Sequence, residues 1–274
     1  MKEINVFSKN STYQKFEVLK TNRNKRHRYG EFLVEGVRNI NGAINNKWKI
    51  KHFIYDKSNL SGWAEDIIKS VKTIENYCLT PELMVDLSEK TDSSELMAII
   101  EMRDNDFTQV KLSDKPMILL FDRPSNKGNL GTVIRSCDAL GVDMLIITGH
   151  SVDLYDPDVV VSSMGSFFHI PVICETDNAL LYEYIEKLKT EYSDFAIIGT
   201  TAHKENPVYN TDLKKPVLIM IGNETMGLNK TFKEYCDILC TIPMSEDSYA
   251  SSFNVGCAAS IILYEIVRQR RIVL

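Results

Sequence analysis

Three short stretches of the chain carry side chains able to bind a ligand and act on it, and each lies between an apolar run and a helical pattern. The first, Phe121-Asp122-Arg123-Pro124-Ser125-Asn126-Lys127-Gly128-Asn129-Leu130-Gly131-Thr132-Val133-Ile134-Arg135, follows the apolar residues 117–121. Two glycines around Asn129 let backbone approach a ligand where a helix begins, and the free amides of a helix start favour phosphate or carboxylate. Arg135 falls on the first turns of that helix, able to reach back to the same loop. A Gly-Asn-x-Gly is equally an ordinary turn, so both meanings stand at this point.

The second stretch is Ile221-Gly222-Asn223-Glu224-Thr225-Met226-Gly227-Leu228, in which two glycines bracket an Asn-Glu pair after the apolar run 217–221. Glu224 is either a site carboxylate or an acid favoured by a helix dipole. The third is Thr241-Ile242-Pro243-Met244, a polar loop over 245–251, and then Ser252-Phe253-Asn254-Val255-Gly256-Cys257-Ala258-Ala259-Ser260, which opens a long helix to about Arg271. Ser252 is the N-cap candidate of that helix. No Gly-x-Gly-x-x-Gly follows a strand, and no Walker lysine motif, nucleophile elbow or His-Glu-x-x-His is present, which disfavours a dinucleotide dehydrogenase and a nucleoside-triphosphate enzyme.

The elements that must position these loops are legible in the apolar pattern. Runs 117–121, 144–148, 195–199 and 217–221 alternate with helical segments near 130–140, 178–191 and 228–236. Continuous apolar strands separated by amphipathic helices imply a mainly parallel sheet covered on both faces, with its ligand crevice beyond the carboxyl ends of the strands. Upstream, the pattern predicts a basic helix over 12–28, a strand at 32–36, a helix at 37–46, a strand at 50–55, a helix at 62–70, a strand or loop at 71–79 and a helix at 81–90. The polar stretch from Asp104 through Asn105 to Pro116 marks a boundary near 112, giving a small α/β domain over 1–112 and a larger α/β domain over 113–274.

Composition narrows the class. The chain has 274 residues, 44% hydrophobic and 25% charged, as ordinary globular proteins do. No apolar run approaches the roughly 18 residues that span a bilayer, and the first residues do not resemble a signal peptide, so a cytoplasmic protein is expected. The six cysteines are scattered without a CxxC pair or a histidine cluster, and are read as buried reduced thiols, Cys236 and Cys240 included. No metal is expected. Net charge is −5, yet residues 1–51 hold twelve Lys or Arg against four Glu, a local balance of +8 that leaves −13 for the remainder. Such asymmetry points to nucleic acid, with Lys20, Arg23, Lys25, Arg26 and Arg28 as the densest candidate contacts; a solvated surface helix is the alternative.

Taken in order, the three loops resemble the motifs of the SpoU (TrmH-like) branch of the SPOUT methyltransferases. Asn129, Gly131 and Arg135 match the Asn-x-Gly-x-x-x-Arg of the first motif. Gly222-Asn223-Glu224 with Gly227 matches the second, and Ile242-Pro243-Met244 with Ser252-Phe253-Asn254-Val255 the third. The segment 161–171 looks like the family's serine-glycine stretch leading into a strand, and Phe32-Leu33-Val34-Glu35-Gly36 after a basic stretch looks like its N-terminal substrate domain, of ribosomal-protein-like α/β fold. Two departures bear on cofactor-loop geometry: the loop 245–251 is longer than usual and lacks the common glycine, and Phe253 replaces the usual leucine.

The resemblance implies an α/β fold with a mainly parallel sheet and a C-terminal trefoil knot, an S-adenosyl-L-methionine-dependent RNA methyltransferase acting on a ribose 2′-hydroxyl, and a homodimer joined through the helix 252–271. It implies cofactor contacts from Gly222, Asn223, Gly227, Ile242, Met244, Phe253 and Asn254. It also implies that Asn129, Glu224, Ser252 and Asn254 orient Arg135 and the target nucleotide, with Arg135 contacting RNA. A free guanidinium has a pKa above about 12 and is a poor base, so Arg135 is read as stabilising developing alkoxide charge, its part as proton acceptor left open. Large-subunit ribosomal RNA is the favoured substrate. Alternatives are tRNA ribose methylation, base methylation as in a related SPOUT branch, methylation that confers antibiotic resistance, and a non-catalytic RNA-binding or ribosome-assembly protein on the same fold.

Overall fold

Asparagines punctuate the basic N-terminal stretch. A computed structural model describes residues 2–89, 94–104, 106–203 and 206–271. In it the expected single helix over 12–28 is two helices, because Asn22 is extended (φ −121°) and its side chain caps the second through Lys25 N. After strand β1 (Lys2–Val6) come α1 (Ser11–Thr21), opened by the Asn10 side chain, and α2 (Arg23–Tyr29), closed by Gly30 at φ +63°. Then follow β2 (Glu31–Glu35), α3 (Val37–Asn45), β3 (Ile50–Tyr55), α4 (Gly62–Ser70), β4 (Glu75–Leu79), α5 (Pro81–Ser88) and β5 (Leu96–Glu101). Residue 90, expected at the end of the helix over 81–90, and Asn105, in the expected linker, lie outside the described residues.

These strands form a sheet in the order β1-β4-β3-β5-β2, parallel from β1 to β3 and antiparallel at β5. The strand pattern did not signal β1, whose residues are mostly exposed at a sheet edge, or β5. Tyr13, Phe16 and Leu19 of α1 pack with Leu83, Met84 and Leu87 of α5 over Leu33, Ile54, Leu79, Met97 and Ile99 of the strands. Burying each large apolar side chain contributes about 1.5–3 kcal/mol, so this layer holds the first unit together.

The second sheet contains β6 (Met117–Asp122), β7 (Met144–Thr148), β8 (Val172–Glu175), β9 (Ala196–Thr200), β10 (Asn206–Pro207), β11 (Val217–Ile221) and β12 (Ile238–Thr241). Its order is β10-β12-β9-β11-β6-β7-β8, every pairing parallel. Helices α6 (Lys127–Leu140), α7 (Pro157–Ser162), α8 (Asn178–Glu191), α9 (Lys230–Tyr235) and α10 (Val255–Arg271) punctuate it. Ile118, Leu120, Met144, Ile146, Ile197, Leu218 and Met220 face Leu181, Ile185 and Leu188 of α8 and Phe232 of α9. Alternation sends Leu119, Phe121, Leu145 and Ile147 to the opposite face. There α6 and α10 pack on each other, with Ser136 Oγ 2.8 Å from Ser260 Oγ.

The chain divides into two compact units. One unit is Met1–Asp104 with Tyr155–His169, and the other is Asn105–Leu154 with Ile170–Leu274. The serine-glycine segment therefore packs with the N-terminal unit, for aromatic reasons: the Phe32 ring lies 4.9 Å from that of Tyr155 and 5.7 Å from that of Phe167. Trp48 Nε1 donates to Phe168 O at 2.9 Å.

The cysteines are less uniformly buried than the sequence suggested. Cys137 and Cys240 are buried, Cys78, Cys174 and Cys236 are half-buried, and Cys257 is exposed on α10. Burial pushes the Cys236 thiol up to about 12 and that of Cys240 up to about 11. Among the described residues no group of His, Cys, Asp and Glu is arranged to hold a metal ion, and no helix is long and apolar enough to cross a membrane.

Candidate functional site

In an all-parallel sheet the carboxyl ends of the strands share one edge, and the loops leaving β6, β9, β11 and β12 meet there. The loops leaving β9, β11 and β12, with the start of α10, enclose a cavity of about 320 Å³, a size suited to a small-molecule ligand. Of the residues expected from the sequence, Gly222, Asn223, Glu224, Gly227, Ile242, Met244, Ser252 and Phe253 line it; Asn129, Arg135 and Asn254 do not. Sequence patterning missed Thr200 at the end of β9 and Thr201 and His203 after it, and Ala258 and Ile262 of α10, which follow Val255 of the third motif. The strand-end rule itself would have found the first group, and the helical spacing 255, 258, 262 the second.

Gly222 is required at this edge. A Cβ there would lie 1.9 Å from Leu228 N, inside the turn by which loop 222–228 folds back on itself. Asn223 N donates to Gly227 O (3.2 Å), Gly227 N returns a bond to Asn223 O (2.9 Å), and Gly227 adopts φ +67°. The Asn223 side chain accepts from Thr225 N (2.9 Å) and Met226 N (3.0 Å), which tilts Glu224 toward the start of α6.

Glu224 is the node of the site. Its Oε2 accepts from Ser125 N (3.0 Å) and Oγ (2.6 Å), and its Oε1 accepts from Asn126 N (3.2 Å) and Asn129 Nδ2 (3.3 Å). Burial alone would push this carboxyl up; the bonds from Ser125 and Asn129 outweigh it and hold the group below its ordinary range. Asn254 Nδ2 donates to Asn129 Oδ1 (3.0 Å), and Asn254 Oδ1 accepts from Gly256 N (2.9 Å). The N-cap of α10 is thus Asn254 and not Ser252, since the helix starts at Val255 and Ser252 lies a further two residues upstream. Asn126 caps α6 through Asn129 N (2.9 Å). One chain of hydrogen bonds therefore runs from the loop after β6, through Glu224 and Asn129, to the start of α10.

Arg135 stands outside that chain. It is exposed on α6 and makes no hydrogen bond or ion pair with any described residue, so Asn129, Glu224, Ser252 and Asn254 do not orient it directly. It lies six residue steps along the helix from Asn129, a rise of ~9 Å. The basic stretch also divides. Arg26 is 1% exposed: its Nη1 donates to Leu19 O (3.1 Å) and Lys20 O (2.8 Å), and its Nη2 pairs with Asp156 at 3.3 Å. Lys20 Nζ donates to Leu87 O (2.7 Å) and Ser88 O (3.0 Å), closing the end of α5. Both belong to the architecture of the unit. Arg23 and Arg28 are exposed and Lys25 half-buried.

The SpoU rRNA methylase family matches residues 116–264 and the SpoU L30e-like domain residues 10–98. The chain is 39% identical over 267 residues to the 23S rRNA (uridine(2479)-2′-O)-methyltransferase of Streptomyces viridochromogenes, covering 97% of this chain and 92% of that protein. The crystal structure of the SpoU methyltransferase AviRb from Streptomyces viridochromogenes in complex with AdoMet has a TM-score of 0.90 at 39% identity, covering 95% of this chain and 98% of that one. The 23S rRNA (guanosine(2553)-2′-O)-methyltransferase RlmP of Bacillus subtilis is 26% identical over 267 residues, 97% of this chain and 99% of that protein.

Proposed function

The chain belongs to the SpoU rRNA methylase family, and from that premise we propose that it is an S-adenosylmethionine-dependent methyltransferase that modifies a ribose 2′-hydroxyl of large-subunit ribosomal RNA. The observation that carries the reading is the cavity at the carboxyl edge of the parallel sheet, walled by the second and third motifs and locked to the first through Glu224. The residues present suit the cofactor. Leu228, Ile242, Val255 and Ile262 offer an apolar wall for an adenine ring and a thioether chain, Thr200, Thr201 and Ser252 offer polar atoms, and glycine at 222 lets the loop fold tightly behind them. When bound, the cofactor supplies an electrophilic methyl group on sulfonium.

The protein's own task is to align the ribose oxygen and manage the charge it develops. Arg135, exposed and uncommitted to any described partner, contacts the target phosphate and ribose. Asn129, Glu224 and Asn254 hold the start of α6 and of α10 at a fixed separation, so that Arg135 and the cofactor loop keep one geometry. Arg23, Lys25 and Arg28 on α2 contact RNA phosphates, selecting substrate largely by shape. Two chains associate through α10 in the cytoplasm, and the last strands are threaded as a trefoil knot, an exception to the rule of unknotted chains.

The test is methylation of 23S rRNA with labelled cofactor, followed by mapping of ribose methyl groups. Arg135→Ala is expected to reduce turnover by roughly a hundredfold or more while cofactor affinity stays within about twofold. Near-normal turnover would reject the assignment of Arg135, and absence of any ribose methylation by the wild type would reject the activity.

A further inference from the structure

Asp122 and Arg123 close β6 beside the cavity, and the function proposed above gives neither a task. Asp122 is 1% exposed, yet its carboxylate is surrounded by donors. Oδ1 accepts from Thr148 Oγ1 (3.1 Å) and Arg123 Nε (3.0 Å); Oδ2 accepts from Arg123 Nη2 (2.9 Å) and from Asn229 N (3.0 Å) and Nδ2 (3.2 Å). Arg123 itself sits in left-handed backbone at φ +52°, a conformation that a side chain adopts only when its surroundings hold it there. Its Nη2 also donates to Gly227 O (3.3 Å), and its carbonyl accepts from Asn223 Nδ2 (2.7 Å). Gly149 makes room for the stem: a Cβ there would lie 2.6 Å from Arg123 Cγ.

Two adjacent residues of one strand end thus pin the loop of another at Asn223, Gly227 and Asn229. Between the pins lie Glu224, Met226 and Leu228, which line the cavity. Neither Asp122 nor Arg123 lines it, so the pair acts through the loop and not on a ligand. We propose that Arg123, seated on Asp122, is a positioning residue that sets loop 222–228 in its cofactor-binding shape; the inference rests on the methyl-transfer reading. Bidentate geometry is what the role requires, because one flat guanidinium must hold the carboxylate and reach Gly227 O together.

The experiment uses the full chain and the variants Arg123→Gln and Arg123→Lys, with S-adenosylmethionine titrated calorimetrically, 23S rRNA affinity measured by filter binding, and steady-state kinetics on both substrates. For Arg123→Gln the expected result is Kd and KM for S-adenosylmethionine raised about tenfold or more, kcat at saturating cofactor within about threefold and RNA affinity within about twofold. Arg123→Lys, which keeps the ion pair but not the fork, is expected to fall between wild type and Arg123→Gln. A wild-type cofactor Kd in Arg123→Gln, or a loss shared equally by kcat and RNA affinity, would overturn the proposal. Should Arg123→Gln not fold, Arg123→Lys decides, an unchanged cofactor Kd overturning it. A wild-type protein that binds no S-adenosylmethionine would overturn the methyl-transfer reading instead.

Discussion

Glu224 shows how much a single side chain can be asked to do. Its carboxylate joins the loop after β11 to the helix start after β6, and hydrogen bonds to a charged group are each stronger than neutral ones. Glu224→Gln keeps the shape but turns one acceptor oxygen into a donor facing other donors, which is expected to cost on the order of 2 kcal/mol of stability by chemical denaturation and to weaken cofactor binding. The pH dependence has a definite sign. The folded carboxyl is held below its ordinary value of 4.5, so its stabilisation is complete above that value and is lost as pH falls through the lower folded value. The stability difference between wild type and Glu224→Gln should therefore be constant from neutral pH down to about 4.5 and narrow below it. A difference that changes between pH 6 and 8 would contradict this account.

Among the elements, α10 depends on the site as much as the site depends on it. Its first turn is capped by Asn254, whose amide nitrogen also holds Asn129, so one residue links helix stability to site geometry. Asn254→Ala is expected to lower stability by about 1 kcal/mol through the lost cap and to weaken cofactor binding as well. Ser252→Ala should leave the unfolding midpoint unchanged, because Ser252 lines the cavity without capping the helix. Equal thermal shifts in the two variants would mean that the cap has been misplaced. The far end of α10 is held differently: Arg270 donates to the carbonyls of Leu213, Lys115, Pro116 and Lys215, fastening the helix to the approaches of β6 and β11.

At the scale of the molecule, the charge asymmetry of the first fifty residues is partly an architectural feature. Lys15 and Lys51 both pair with the buried Glu31, Arg26 pairs with Asp156 and Lys20 closes α5, so the surface available to RNA is smaller than the composition suggests. Simultaneous replacement of Arg23, Lys25 and Arg28 by Ala is expected to weaken RNA binding and to lower the slope of log K against log salt by ~2. Unchanged salt dependence would remove α2 from the RNA contact. Substitution is a cleaner test than deletion of the N-terminal unit, because deletion would strip Tyr155, Phe167 and Phe168 of the aromatic partners they have in Phe32 and Trp48.

Local order along the chain settled a good deal. The apolar runs at 117–121, 144–148 and 217–221 are strands with those cores, because fully buried strands need no alternation to be seen. The glycines at 222 and 227 announced a tight turn, and the spacing of the three motifs announced which loops belong together. What the sequence could not carry is direction. Lys20, Arg23, Lys25, Arg26 and Arg28 read alike in a row, and only packing decides that Arg26 turns inward to two carbonyls and an aspartate. Edge strand β1 and the seating of residues 155–169 on the N-terminal unit depend on partners distant in sequence. So does the choice of Asn254 over Ser252 as helix cap, which is fixed by where Asn129 lies 125 residues away. Residue type determined what each group could bond; tertiary structure determined which partner stood within 3 Å of it.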